Sequence, residues 1–113
     1  MHCCCVYCSI KRTTAEQVHM MAAATVCVVS TSPFAGQKPG TSGLRKKVTE
    51  FLDTPNYAEN FVQATLSAMG DRLHGSTLVV GGDGRYGTVE TVVKIIKMAA
   101  ANKVGSIILI LSM

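Results

Sequence analysis

The sequence has no tryptophan and only three phenylalanines and three tyrosines among 113 residues. It also lacks a strong charge bias, since 11 basic and 7 acidic residues give a formal net charge of +4. Nucleic-acid-binding domains usually cluster positive charge on one surface and stack bases on aromatic rings, so this composition argues against nucleic acid as a partner. No run reaches the ~18 consecutive apolar residues of a membrane-spanning helix. We therefore expect a soluble protein of one domain that binds neither nucleic acid nor a membrane.

The cysteines do not form a disulfide framework. Four of the five lie within the first eight residues, and only Cys27 lies elsewhere. Such clustering leaves little for the thiols to bridge, which suits a reducing cytoplasm. Cys5 and Cys8 have the spacing of half a zinc site, but no second pair follows. The sequence therefore predicts no metal site.

Residues 1–20 are expected to be a disordered or spurious extension, with the domain occupying residues 21–113. The apolar stretch 3–10 precedes Lys11 and Arg12, which is the reverse of the order in a signal peptide. Met21 is followed by three alanines and resembles an ordinary start of translation. Acylation of the clustered cysteines is the alternative, without a polybasic helix to support it.

The remaining chain alternates between apolar runs and helical patterns. Residues 25–30 predict a strand, residues 44–51 suit either a helix or a strand, and Thr54 followed by Pro55 predicts a helix start. That helix should run to Met69, with its apolar residues on one side and with Glu59, Asn60, Gln63 and Ser67 on the other.

The second half of the sequence predicts a strand, a helix and a strand. Residues 76–81 and 106–111 are short apolar runs typical of buried strands, and the first should be central in its sheet. Between them, apolar residues recur at helical spacing, and Glu90 stands four residues before Lys94 for a favourable pair. This order predicts an α/β fold with a parallel sheet.

Residues 37–46, which we name the glycine-rich loop, have the composition of an anion-binding loop. Gly40 and Gly43 allow close backbone approach, Thr41 and Ser42 supply hydroxyls, and Arg45 supplies a bidentate donor. An ordinary surface turn followed by solvated charges has the same composition, so the residues alone leave both readings open.

Five stretches in order resemble the first domain of the eukaryotic phosphoglucomutases, within the α-D-phosphohexomutase family. They are SPFAGQKP (32–39), GTSGLRK (40–46), NYAENF (56–61), TLVVGGDGR (77–85) and AAAN (99–102). The resemblance implies an incomplete three-layer α/β/α domain I with a mostly parallel sheet. It also implies that Thr41, Ser42, Gly43 and Arg45 bind a hexose phosphate.

The same resemblance implies interconversion of glucose 1-phosphate and glucose 6-phosphate in full-length members. A phosphoserine transfers the phosphoryl group through glucose 1,6-bisphosphate, and Mg²⁺ assists. The family's Thr-Ala-Ser-His-Asn-Pro and Asp-Gly-Asp-Gly-Asp-Arg stretches are absent from this sequence, so no catalytic or metal-binding residue is assigned. We expect these residues to bind no Mg²⁺ and to be inactive alone. A non-catalytic relative used for binding or scaffolding is the alternative.

A dinucleotide site is a competing interpretation, because residues 82–87 match Gly-x-Gly-x-x-Gly between a strand and a helix. Such sites place an acidic residue about 20 positions later, yet no Asp or Glu follows Glu90. The pattern therefore favours a tight turn that Asp83 and Arg85 stabilise as a pair.

Overall fold

The computed structural model describes residues 3–9 and 25–112. Two antiparallel strands come first, two helices follow, and a strand, a helix and a second strand end the described chain. In chain order the elements are β1 (Cys3–Ser9), β2 (Thr25–Thr31), α1 (Val48–Asp53), α2 (Tyr57–Ser67), β3 (Thr77–Gly82), α3 (Thr88–Ala101) and β4 (Ser106–Leu111). A single 3₁₀ turn, Gly70–Arg72, follows α2 where the sequence predicts the helix to stop.

Strand β1 lies within the stretch that the sequence predicts to be a disordered or spurious extension. It pairs with β2 in an antiparallel register that runs from Cys3 opposite Thr31 to Ser9 opposite Thr25. It also packs against α2 and α3. The pairing satisfies backbone groups along one edge of β2, which an isolated strand would leave open. The predicted boundary near residue 20 lies outside the described residues and stays a prediction.

The predicted strand, helix and strand of the second half are confirmed. β3 and β4 are parallel, from Thr77 opposite Ser106 to Gly82 opposite Leu111, and α3 connects them. Helix α3 contributes Met98 and Ala99, both fully buried, to the core. The described part of the chain is therefore an α/β fold with one parallel and one antiparallel pair of strands.

The prediction that the first of these strands is central and buried is wrong for the described residues. β3 pairs with β4 alone, and the two faces of this pair differ. Val80 is 6% exposed, whereas its neighbour Val79 is 58% exposed, with Ile108 beside it on the same open face. An apolar run predicts a strand, but it does not say how many neighbours the strand has.

Helix α2 begins later than the sequence predicts. Thr54, the expected N-cap, ends α1 instead, and Asn56 at φ 60° precedes the first helical residue, Tyr57. A residue before proline is disfavoured in helical conformation, so Thr54 and Pro55 separate two helices rather than start one. The ambiguous stretch before them is therefore helical from Val48.

Three of the four residues predicted on the polar side of α2 are buried, whereas Ser67 is exposed. Glu59, Asn60 and Gln63 are each at most 9% exposed, as are the apolar Tyr57 and Leu66. The helix packs against β1, α1 and α3, so both of its sides meet other elements. The expected pair of Glu90 with Lys94 is not formed, because Lys94 donates to the buried Glu59 across the helix interface.

Candidate functional site

The tip of the glycine-rich loop is a two-residue turn. The amide of Gly40 donates to the carbonyl of Gly43 at 3.0 Å, and the amide of Gly43 donates to the carbonyl of Gly40 at 3.1 Å. Gly43 has a φ of 84°, a conformation that glycine adopts at little cost. Thr41 and Ser42 stand exposed at the tip between the two glycines.

Arg45 follows the turn and is exposed. Within residues 3–9 and 25–112 it forms no ion pair or side-chain hydrogen bond. Its guanidinium is therefore available to an anion, and desolvating the group would break no described contact.

A cleft of about 650 Å³ lies beside this loop. Four segments form it, namely the loop, helix α1, the first two turns of helix α3 and residues 81–87, which we call the 81–87 turn. Ser42 and Leu44 line it from the loop, and Phe51 lines it from α1. Of the four predicted substrate-binding residues, Ser42 lines the cleft, whereas Thr41, Gly43 and Arg45 stand on the loop outside its lining. Their role stays a prediction.

The 81–87 turn carries the predicted pair of Asp83 and Arg85. Arg85 Nε lies 2.9 Å from Asp83 Oδ2, and the Arg85 amide donates to Asp83 Oδ1 at 3.3 Å. Both side chains are exposed, so this is a surface ion pair within the turn, of a kind that contributes little to stability. The turn joins the carboxyl end of β3 to the amino end of α3, the edge where ligands bind in open α/β sheets.

Helix α1 approaches the 81–87 turn closely. A Cβ built on Gly87, whose φ is 83°, would lie 3.0 Å from Val48 Cγ1 and 3.5 Å from Leu52 Cδ1. The absence of a side chain at Gly87 thus lets α1 pack on the start of α3. Because α1 follows the glycine-rich loop directly, this contact fixes one side of the cleft.

The base of the glycine-rich loop is held by contacts that sequence reasoning missed. The ring of Tyr57 in α2 makes edge contacts with Phe34 at 5.0 Å and with Phe51 at 5.6 Å between centroids. Beside it, Asn60 Nδ2 donates to Gln37 Oε1 at 2.9 Å. Each contact joins residues about 20 positions apart or more, except for Phe51 and Tyr57, so no local pattern could have indicated them.

The described residues do not fit a magnesium site. In residues 3–9 and 25–112, no three His, Cys, Asp or Glu side chains come together. Asp83, the acidic residue that lines the cleft, is paired with Arg85. We therefore assign no chemistry in these residues to Mg²⁺.

Comparison with known proteins identifies the domain. Residues 36–112 match the family described as phosphoglucomutase/phosphomannomutase, alpha/beta/alpha domain I. The chain belongs to this family. The match includes the glycine-rich loop, the 81–87 turn and the parallel strands, so the family resemblance and the α/β/α fold class are confirmed.

Individual phosphoglucomutases are similar over most of the chain. Phosphoglucomutase 1 of Drosophila melanogaster is 58% identical over 84 residues, which are 74% of this chain and 15% of the relative. The cytoplasmic phosphoglucomutase of Solanum tuberosum is 60% identical over 85 residues, 74% of this chain and 14% of the relative. A probable cytoplasmic phosphoglucomutase of Arabidopsis thaliana is 64% identical over 80 residues, 70% of this chain and 14% of the relative. The chain thus spans about one seventh of these proteins.

No solved structure matches the chain at a significant level. Among the described residues, no helix is both long and apolar enough to cross a lipid bilayer. The dinucleotide interpretation gains no support, because the 81–87 turn lies inside the region matched to phosphoglucomutase/phosphomannomutase domain I.

Proposed function

We propose that this chain forms the part of a phosphoglucomutase that faces the sugar phosphate. The parent activity would interconvert glucose 1-phosphate and glucose 6-phosphate through a phosphoserine and glucose 1,6-bisphosphate. The observation that carries the proposal is the cleft between the glycine-rich loop and the 81–87 turn, within a chain that belongs to phosphoglucomutase/phosphomannomutase domain I.

The proposed ligand contacts come from the tip of the loop. Thr41 and Ser42 offer hydroxyl donors, and their backbone amides, unlike those of Gly40 and Gly43, form no backbone hydrogen bond within the described residues and could donate to phosphate oxygens. Arg45 would supply a charge-assisted, two-pronged contact to the phosphate. Its exposure favours this role, because no described acidic side chain competes for it.

We do not expect these 113 residues to catalyse phosphoryl transfer alone. Phosphoryl transfer through an enzyme-bound phosphate needs a nucleophile and charge neutralisation beside the transferred group. The 113 residues contain neither the Thr-Ala-Ser-His-Asn-Pro stretch nor the Asp-Gly-Asp-Gly-Asp-Arg stretch. We therefore expect binding of hexose phosphate without turnover.

A cytoplasmic location accompanies the proposal. Several relatives are named cytoplasmic phosphoglucomutases, among them those of Solanum tuberosum and Arabidopsis thaliana. These names give no support to the scaffold alternative, since each describes a phosphoglucomutase.

The proposal is tested by titrating the isotope-labelled chain with glucose 1-phosphate and recording the backbone amide chemical shifts at each step. Unmodified glucose serves as the ligand control, because it lacks the phosphate. We expect saturable binding of the phosphate ester with a dissociation constant on the order of 1 mM, and no saturable shift with glucose. Arg45→Gln should weaken that binding by about tenfold, the scale of one charge-assisted contact.

Arg72→Gln is the matched variant, since Arg72 is also an exposed arginine but belongs to the 3₁₀ turn after α2. It should bind glucose 1-phosphate as the unchanged chain does. Equal weakening by both substitutions would reduce the role of Arg45 to a general charge effect, and a chain that does not bind the ester would overturn the proposal.

A further inference from the structure

We infer that Asn60 and Gln37 are positioning residues, a pair of side-chain amides that fixes the start of the glycine-rich loop against α2. The pair would thereby set where the tip of the loop stands relative to the 81–87 turn. The inference rests on the proposed function, because it concerns the loop to which sugar-phosphate binding is assigned. Neither side chain lines the cleft, so both act through the loop.

The hydrogen bonds of this pair leave one arrangement of the amides. Gln37 Nε2 donates to the carbonyl of Tyr57 at 2.8 Å, and a carbonyl can only accept. Gln37 Oε1 must therefore face Asn60 Nδ2, which donates to it at 2.9 Å. This leaves Asn60 Oδ1 to accept from Thr31 Oγ1 at 2.7 Å. Turning either amide over would place two acceptors or two donors together, so the chain of bonds from β2 to the loop is specific.

Burial makes this chain of bonds costly to break. Asn60 is 5% exposed, and Thr31 is 7% exposed. A buried polar group that loses its partner pays its full cost of desolvation, so each side chain holds the next in place. Gln37 itself is half-buried and joins the buried pair to the exposed loop.

The Gln37–Asn60 pair, which we call the tether, lies close to the tip of the loop. Lys38 and Pro39 are the residues between Gln37 and the turn that Gly40 begins, and the proline ring fixes one of the backbone angles in that short span. The backbone amide of Gln37 donates to the backbone carbonyl of Phe34 at 3.2 Å. This bond closes a turn that ends at Gln37. A displacement of Gln37 would therefore displace the tip of the loop by a similar distance.

Helix α2 provides a matched comparison one turn further along. Gln63 and Asn102 exchange two amide hydrogen bonds of 2.9 Å each, and Gln63 is also 5% exposed. This second pair has the same chemistry and comparable burial. It ties α2 to the carboxyl end of α3 instead of to the glycine-rich loop. A difference between the two pairs therefore isolates the effect of the tether.

The experiment compares Gln37→Met with Gln63→Met in the full 113-residue chain. We expect Gln37→Met to lower the backbone order parameters of the amides at residues 40–45 from about 0.85 towards about 0.6. Binding of glucose 1-phosphate should weaken by about tenfold, because a displaced loop loses alignment with its ligand. Gln63→Met should leave the order of residues 40–45 unchanged. Gln37→Asn, which keeps an amide that is one methylene too short to reach both partners, should reproduce the loosening.

The inference would be overturned if the order parameters of residues 40–45 in Gln37→Met and Gln37→Asn equalled those of the unchanged chain. This holds whether or not binding changes. Equal loosening by Gln63→Met would overturn it as well, since the effect would then reflect general stability. If the unchanged chain did not bind glucose 1-phosphate, the proposed function would fail. Selective loosening by the Gln37 variants would still support the tether.

Discussion

Lys94 Nζ lies 2.6 Å from Glu59 Oε1, in an ion pair that joins α3 to α2. The carboxylate is buried, and its second oxygen, Oε2, has no hydrogen-bond partner in the described part of the chain. Glu59 therefore depends on one cation from another helix. This dependence makes the pair a specific contact between the two helices.

Lys94→Met should destabilise the chain by about 3 kcal/mol, because it leaves a buried carboxylate without its cation. Adding Glu59→Gln should recover part of this loss, since the unpaired charge is then removed. Urea unfolding of the two single variants and the double variant measures the coupling.

Lys46→Met is the control for that cycle. Lys46 Nζ lies 4.0 Å from the more exposed Glu50, so this loss should cost no more than about 0.5 kcal/mol. Additive effects of Lys94→Met and Glu59→Gln would show that the buried pair contributes no coupling.

Val79 and Val80 are adjacent in β3 but lie on opposite faces of its sheet. Val80→Ala should lower the free energy of unfolding by about 1–3 kcal/mol, because Val80 is buried. Val79→Ala should change it by less than about 0.5 kcal/mol, because that side chain is mostly exposed. Comparable losses would mean that something covers the open face.

Position 105 has no room for a side chain. A Cβ at this position would lie 2.6 Å from the carbonyl oxygen of Gly75, which runs alongside the residues before β4. Gly105→Ala should therefore destabilise the chain by about 2 kcal/mol or more, because backbone must move. Gly84→Ala, whose Cβ would lie 3.9 Å from its nearest neighbour, should fold normally. Thermal unfolding distinguishes the two, and equal midpoints would contradict this close approach.

The turn at the tip of the glycine-rich loop depends on Gly43. Gly43→Ala meets no steric neighbour within 4 Å, so its cost, about 1–2 kcal/mol, comes from the φ of 84° alone. We expect this strain to deform the tip and weaken glucose 1-phosphate binding. Gly40→Ala adds a Cβ at an ordinary 3.8 Å contact without a positive φ. Binding by Gly43→Ala as tight as by Gly40→Ala would argue against a role for the shape of the turn.

Local patterns predicted most of the elements, and a long-range contact accounts for the wrong pairing of Lys94, which binds Glu59 instead of Glu90. β4 begins and ends where its apolar run does, and α3 follows its helical spacing. The start of α2 was wrong because Pro55 separates two helices instead of starting one.

The candidate site was predictable only in part. The glycines and hydroxyls identified the tip of the loop, because turn chemistry is local. The cleft beside it needs α1 and the 81–87 turn to meet, and the Gln37–Asn60 tether joins residues 23 positions apart. Neither leaves a periodic signal in the sequence.

The central claim is that the glycine-rich loop and the 81–87 turn together form a sugar-phosphate site. The most direct measurement is a map of the amide shifts at saturating glucose 1-phosphate, assigned residue by residue. We predict that the largest changes fall in two groups, residues 41–45 and residues 82–87. Changes confined to one group, or centred on the open face of β3 and β4, would contradict the account.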